Sequence, residues 1–324
     1  MNLQTRAVGQ TGLRVTDVSF GCASIGNLFR EVSDSDAQAV LQTAWDAGIR
    51  YFDTAPHYGR GLSEARLGAF LKDKPRDSFV VSTKVGRVLS PGAQQPEADG
   101  FINPLPNDVR YDYSGDGIDA ALEGSRGRLG MDHIDIVYVH DIGSYTHGDA
   151  NAAHMEAFLG SGYERLVRLK EQGKIRAFGL GVNENEICLD VMDHGPLDVI
   201  LLAGRLTLLD RSGEAALVPA CRDAGTSLVL GGLFNSGILA TGPIAGATYD
   251  YAPAPKEIMD RVTVLQTRAA AIGMPLASAA LHFAHRHTVA ASVLLGTANA
   301  GTLERNIAAL EGPTPPDFET RVSA

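Results

Sequence analysis

The chain has 324 residues and a formal net charge of −10 with no basic run, a balance that argues against phosphate-backbone binding, so no nucleic-acid partner is expected. Its three cysteines, Cys22, Cys188 and Cys221, are odd in number and too far apart for a metal knuckle or a disulfide framework, and read as reduced thiols in packed elements. The opening MNLQTRAVGQTGLRV holds no apolar run of leader length, and nothing later approaches the ~18 continuous apolar residues of a membrane span, which points to a soluble, cytoplasmic protein.

Short β-branched apolar runs recur along the chain, each followed by helical spacing and turn residues, the alternation of parallel βα units. In chain order the candidate strands are VSFG (18–21), RYFDT (50–54), FVVSTK (79–84), IDIVYVH (134–140), FGLGV (178–182), DVILLA (198–203), SLVLGG (227–232) and SVLLG (292–296). Eight such units predict an α/β fold, the (β/α)8 or TIM barrel. Chains of ~250 residues or more commonly form one such core. No repeat or low-complexity linker marks a boundary, so residues 1–324 are expected to form a single domain.

Between the first two strands, Ser33 is placed to cap a helix, Asp34 and Asp36 suit its first turn, and Val40, Leu41, Ala44 and Trp45 form one apolar face that ends at Gly48. Trp45 therefore reads as core. Helical spacing returns at 63–71, 162–173, 215–225 and 303–310. Two segments, 85–117 and 234–255, are rich in Gly, Pro and Asp and are too long for bare connections. Both leave the C-terminal end of a strand, the face on which barrel enzymes carry their sites, and are expected to be functional, as long substrate-binding loops.

Asp53 ends the second strand, Tyr58 follows in the loop, Lys84 ends the third strand and His140 the fourth, so adjacent strands bring all four to one mouth. Taken singly, each has an ordinary reading: a loop cap, a solvated lysine, a satisfied core histidine. Together they suggest proton transfer. A tyrosine, with an unperturbed pKa of ~10, needs that value lowered by roughly two to three units to act as a base at neutral pH. An ammonium at ~4 Å in an effective dielectric of ~20 supplies about 4 kcal/mol, enough for that shift. Asp53 would keep Lys84 charged, and His140 would donate to a substrate oxygen. Pro56 restricts the loop and Gly59 permits the turn beyond Tyr58.

The segments TGLRVTDVSFG, AWDAGIRYFDTAPHYGRGLSEARLGAFL, VVSTKVG, RYDYSGDG, IDIVYVHD, KIRAFGLGVN, LLDR, GGLFNSGIL and LLGTANAGTLERNIAAL resemble those of the aldo-keto reductases over nearly the whole length. The resemblance implies a catalytic tetrad at Asp53, Tyr58, Lys84 and His140, and an extended nicotinamide cofactor bound without a doubly wound domain. In the family a Ser and Asn after the fifth strand and a Gln after the sixth hold the carboxamide. Here Gly181 stands at the Ser, Asn183 at or beside the Asn, and Ala203 at the Gln. The resemblance further implies cofactor contacts at Gly21, at Gly232, Leu233, Phe234, Ser236 and Gly237 after strand seven, and at Gly296, Thr297, Ala298 and Asn306 after strand eight. Phe234 packs either on the cofactor or within its loop. Ala298 stands where NADP-preferring relatives often place an arginine, so NAD is expected, with NADP open through Arg305 or another base.

GLGVNE imitates the start of a dinucleotide fingerprint but lacks its third glycine, which disfavours a doubly wound fold. His282, His285 and His287 do not all share one helix face and have no completing carboxylate or cysteine, so no metal is expected. His57 is placed to touch substrate or to make a rim hydrogen bond.

Within the family, NLFREVSDSDA, RYDYSGDG, GLGVNE, AGRLTLLDR and GGLFNSGIL resemble aldose 1-dehydrogenases of the L-fucose or D-threo-aldose type, and pyridoxal 4-dehydrogenase. This implies oxidation of a hemiacetal sugar to its lactone, with pyridoxal oxidation or carbonyl reduction as alternatives. Phe101, Asn103, Asn107 and Arg110 could line either pocket. Rival readings are a noncatalytic nicotinamide-binding subunit and a Schiff-base enzyme using Lys84. The oligomeric state is left open.

Overall fold

The computed structural model describes residues 3–323; Met1, Asn2 and Ala324, the ends of the expected domain, lie outside the described residues. Eight strands close into a barrel: β1 (Val18–Gly21), β2 (Tyr51–Asp53), β3 (Val80–Val85), β4 (Ile136–His140), β5 (Ala177–Val182), β6 (Val199–Ala203), β7 (Ser227–Gly231) and β8 (Ala290–Gly296). Each pairs parallel with its chain neighbour, and β8 pairs with β1. All eight expected strands are present. The fingerprint-like glycines belong to β5: a Cβ on Gly179 would lie 1.6 Å from Val199 O, so a glycine is needed for β5 to approach β6.

Strand alternation divides the apolar residues into two layers. Phe20, Phe52, Val81, Val137, Leu180 and Leu202 face outward into the layer shared with the helices. Tyr51, Val80, Ile136, Tyr138, Val199 and Val229 face inward and meet Val8, Leu13 and Val15. Those three come from an antiparallel hairpin, Thr5–Ala7 with Arg14–Thr16, and from its loop; they close the N-terminal end of the barrel. Each apolar side chain so enclosed contributes about 1.5–3 kcal/mol.

The first helix, α1 (Asp34–Asp46), starts as its sequence indicates, with Ser33 Oγ accepting from Asp36 N at 3.1 Å. Trp45 packs against Phe52 and carries the Arg50 guanidinium 3.9 Å over its ring. After α2 (Leu62–Leu71) and β3, segment 85–117 is not an irregular loop. It forms two antiparallel hairpins, Arg87–Pro91 with Asn107–Tyr111 and Glu97–Ala98 with Phe101–Ile102, and then enters α3 (Gly115–Leu129). Segment 234–255 likewise carries a short helix, Ile238–Thr241, and a hairpin, Thr248–Tyr249 with Ala252–Pro253. Among the described residues no helix is long and apolar enough to cross a membrane.

Candidate active site

Inward alternation on β2, β3 and β4 aims Asp53, Lys84 and His140 into the C-terminal mouth of the barrel, and the registers Asp53 with Ser82 and Tyr138 with Lys84 set their heights. Lys84 Nζ donates to Asp53 Oδ2 at 2.7 Å, to Thr54 O at 2.9 Å and to Tyr58 Oη at 3.0 Å, which uses all three ammonium protons. A Cβ on Gly181 would lie 3.4 Å from Lys84 Cε, so the bare residue on β5 leaves the lysine its path. Ser82 Oγ donates to Asp53 Oδ1 at 2.7 Å. His140 stands edge-on to Tyr58, with ring centroids 5.8 Å apart.

The turn carrying Tyr58 is fixed by close backbone approach. Gly59 has φ 63°, and a Cβ there would lie 2.4 Å from Gly26 O. Tyr58 N donates to Ala55 O and Tyr58 O accepts from Ser63 N. Ser63 Oγ in turn donates to Cys22 O and lies 2.8 Å from Thr54 Oγ1, tying the turn to the ends of β1 and β2.

The electrostatics follow from enclosure. Burial works against the Lys84 charge, but Asp53 and Tyr58 outweigh it and raise the lysine pKa. Burial lifts the Asp53 carboxyl above its ordinary value, while Lys84 and Ser82 pull it back. Tyr58 departs from the expected lowering: burial pushes it up to about 12, and Lys84 offsets only part of that rise. The Coulomb sum used for the sequence omits desolvation of the phenolate, here the larger effect. His140 falls well below the usual imidazole value through burial, Arg87, Lys84 and His57; His57 falls to about 3 for the same kind of reason, burial first and then Arg87. Both rings are neutral at physiological pH.

A cavity of about 360 Å³ opens above these groups, with Tyr58, Lys84 and His140 at its floor and Leu28, Phe29, Phe101, Tyr145 and Tyr251 along its walls. A larger cleft of about 450 Å³ at the opposite end of the barrel, lined by Arg14, Arg50, Arg76 and Arg176, includes none of the four. Of the other expected pocket residues, His57 and Asn183 line the cavity. Asn107 instead pins its hairpin to Arg60, donating to Arg60 O and accepting from Arg60 Nη1, and Arg110 pairs with Asp112. Asn103, at φ 45°, closes the open end of the short hairpin by donating its backbone N–H to Pro96 O.

The expected cofactor positions cluster at the same face. Gly21 and Gly296 are paired across β1 and β8, and a Cβ on Gly296 would meet only Gly21 O, at 3.5 Å. Gly237, at φ 101°, has open space around it, and Gly232, at φ 62°, approaches Gly204 closely. These bare strand ends and turns leave a cradle without side chains, which fits an extended flat ligand. Leu233 is buried, and Phe234 packs between two apolar clusters, so loop packing accounts for it. Ser236 Oγ accepts from Tyr251 N, Thr297 Oγ1 accepts from Asn299 N ahead of helix α4 (Ala300–Glu311), Ala298 packs against the core, and Asn306 is half-buried on α4. The three histidines separate as expected: His282 Nε2 lies 2.9 Å from Ala309 O, His285 Nε2 lies 3.0 Å from Asp17 Oδ2, and His287 lies beyond its helix. No group that could hold a metal occurs among the described residues.

Sequence reading did not find Ser82, Arg87, Asp141, Tyr145 or Tyr251. Arg87 is buried and pairs with Asp141 at 2.9 Å; Asp141 directly follows His140, at φ 48°. Ser82 lies two residues before Lys84 on one strand face, and only the strand register places it against Asp53.

A family model described as the aldo/keto reductase family matches residues 17–323. The chain is 41% identical to a pyridoxal 4-dehydrogenase from Microbacterium luteolum, over 98% of this chain and 96% of that protein. It is 39% identical to a D-threo-aldose 1-dehydrogenase from a Pseudomonas species, over 95% and 93%. An aldo-keto reductase from Bacillus halodurans in its holo form superposes with a TM-score of 0.78 at 24% identity, covering 100% of this chain and 98% of that one, a likeness of fold. Barrel and relatives together define a nicotinamide-dependent oxidoreductase. The chain belongs to the aldo/keto reductase family.

Proposed function

We propose that the protein oxidises a cyclic hemiacetal to its lactone, with Tyr58 as the base that takes the hydroxyl proton. The observation that carries this reading is the Lys84 ammonium, 3.0 Å from Tyr58 Oη and 2.7 Å from the Asp53 carboxylate, at the floor of the cavity. Tyr58 would take the O–H proton, and a bound nicotinamide would supply the acceptor for the hydride from the carbon bearing that oxygen, so that a C=O bond replaces the C–H and O–H bonds. Lys84 stabilises the phenolate that accepts the proton, and neutral His140 donates a hydrogen bond to the reacting oxygen. With Tyr58 protonated, the same groups support carbonyl reduction. Gly181, Asn183, Gly232, Gly237 and Gly296 would hold the cofactor. NAD is favoured because Ala298, packed against the core, brings no charge to a 2′-phosphate; Arg305, which donates to Thr302 at 2.9 Å, keeps its charge and leaves NADP open.

The wall of the cavity favours a flat aromatic hemiacetal, pyridoxal being the one named by a relative. Phe29 and Tyr251 are 67% and 63% exposed and are held at φ 60° and 61°, a strained conformation for bulky side chains that recurs at ligand clamps. With Tyr145 and Phe101 they supply aromatic walls to an incoming ligand. A second reading, an aldose, is supported by Asp99, Asp141 and Asn183, which offer acceptors to sugar hydroxyls.

The test follows reduced nicotinamide formed from NAD or NADP with pyridoxal, L-fucose, D-arabinose and L-galactose in turn. NAD-linked turnover of pyridoxal above the sugars is expected, and Tyr58→Phe should lose about 10²–10⁴-fold in rate. Sugar turnover alone would select the aldose reading. Unchanged turnover by Tyr58→Phe would remove Tyr58 as the base.

A further inference from the structure

Beneath the mouth a line of hydroxyls continues into the barrel. Ser82 Oγ, 2.7 Å from Asp53 Oδ1, is also 3.1 Å from Tyr51 Oη, and Tyr51 Oη is 2.9 Å from Tyr138 Oη. Ser82, Tyr51 and Tyr138 have no measurable exposure. Their proton order is forced. The ionised carboxylate only accepts, so Ser82 donates to Asp53; its oxygen then accepts from Tyr51, and Tyr51, its single proton committed, accepts from Tyr138. Burial, followed by the neighbouring Asp53 for Tyr51 and the Tyr51 hydroxyl for Tyr138, keeps both phenols protonated. The lower end lies in the apolar layer with Val8, Leu13 and Val15, so the line is a fixed set of dipoles with no polar exit for a proton.

We propose that Ser82, Tyr51 and Tyr138 are positioning residues whose aligned hydroxyl dipoles hold Asp53 ionised and set the pH at which Tyr58 gives up its proton. This rests on Tyr58 being the base. The Asp53, Lys84 and Tyr58 group carries no net charge while the phenol is protonated and one negative charge once it is not. A dipole with its positive end towards the group favours the second state, most strongly in a low-dielectric interior. Remove the dipole, and the proton leaves at higher pH. The other groups facing the cluster are neutral His57 and His140, the paired Arg87 and Asp141, the Cys22 thiol that burial keeps protonated, and Asp135 beyond Tyr51. None of them depends on Ser82 for its charge. If these hydroxyls merely satisfy one another, their loss lowers stability and leaves the titration unmoved.

The experiment measures kcat/KM for NAD-linked oxidation from about pH 6 to about pH 11, with thermal melting alongside, for wild type, Ser82→Ala, Ser82→Thr and Tyr51→Phe. Pyridoxal is the substrate, or D-arabinose if it turns over faster. In Ser82→Ala the rising limb is expected to move up by about one pH unit, with rates along it falling about tenfold at a given pH. Tyr51→Phe should move it the same way by less, and Ser82→Thr should restore it. A folded Ser82→Ala whose rising limb coincides with that of the wild type would overturn the proposal, whatever its melting temperature. Should Ser82→Ala not fold, Tyr51→Phe decides in the same terms. Failure of the base reading is seen separately: the rising limb would then persist in Tyr58→Phe.

Discussion

Tyr58 is caught between two opposed effects of one site. Enclosure that excludes water makes its phenolate costly, up to a pKa of about 12, while the adjacent ammonium of Lys84 draws that value down. At neutral pH the base form is therefore a minority, and it grows with pH until the raised pKa is passed. Oxidation should accordingly accelerate from pH ~7 to pH ~10, by up to about tenfold per unit where this titration limits the rate, while carbonyl reduction, whose acid form stays fully populated below the raised pKa, should keep its rate over the same range. A kcat profile in each direction checks this; an oxidation rate flat across that span would show that Tyr58 is not the titrating group. The placement of Asp53, Lys84 and His140 was legible because each ends a strand whose apolar run is plain in the sequence. The sign of the tyrosine shift was not, since it depends on how completely the fold surrounds the ring. Ser82 was hidden for a related reason: a serine in a strand gives no sign of facing a buried carboxylate until the register Asp53 with Ser82 is known.

The element that sets the geometry of the site is the turn between β2 and α2. Its two constraints coincide at Gly59, where φ 63° disfavours a side chain and a Cβ would meet Gly26 O at 2.4 Å. Gly59→Ala must therefore displace either the turn or residues 24–26, and Tyr58 with it. The expected result is a loss of about 1–3 kcal/mol in stability together with a fall in kcat larger than any rise in KM, because the reacting geometry suffers more than the binding walls. Urea unfolding and steady-state kinetics on the one variant check both; full activity with lowered stability would mean that Tyr58 keeps its place independently of the turn. Where such turns were short, sequence patterning located the elements well, as with the Ser33 cap and the apolar stripe of α1. It failed for α3, whose 15 residues include Gly115, Gly117, Gly124 and Gly127. Glycine lowers helical propensity, and here tertiary contact overrides it: a Cβ on Gly117 would strike Asp112, at 2.4 Å from its backbone oxygen. The hairpins of segment 85–117 were missed because strands of two to five residues are too short for alternation to register.

At the scale of the whole molecule the two ends of the barrel do different work. The C-terminal mouth holds strained residues, buried charge and bare glycines, features that lower stability and serve a ligand. The N-terminal end is closed by a hairpin whose Val8, Leu13 and Val15 complete the inner apolar layer, and this plug was not legible because its strands are only three residues long. Tyr51 and Tyr138, in that same layer, connect it to the mouth through Ser82. Leu13→Ala isolates the structural contribution, since Leu13 is 1% exposed and its removal leaves the hydroxyl line intact. It should cost about 2–5 kcal/mol of stability by opening a cavity. Because active sites of this fold sit at the far face, kcat at 25 °C should stay within about twofold of wild type while the protein remains folded. Denaturant unfolding paired with kinetics well below the transition checks the division. A large loss of kcat in folded Leu13→Ala would mean that the plug also sets the geometry of the mouth, with the inward-facing Tyr51 and Tyr138 as the shortest route between them.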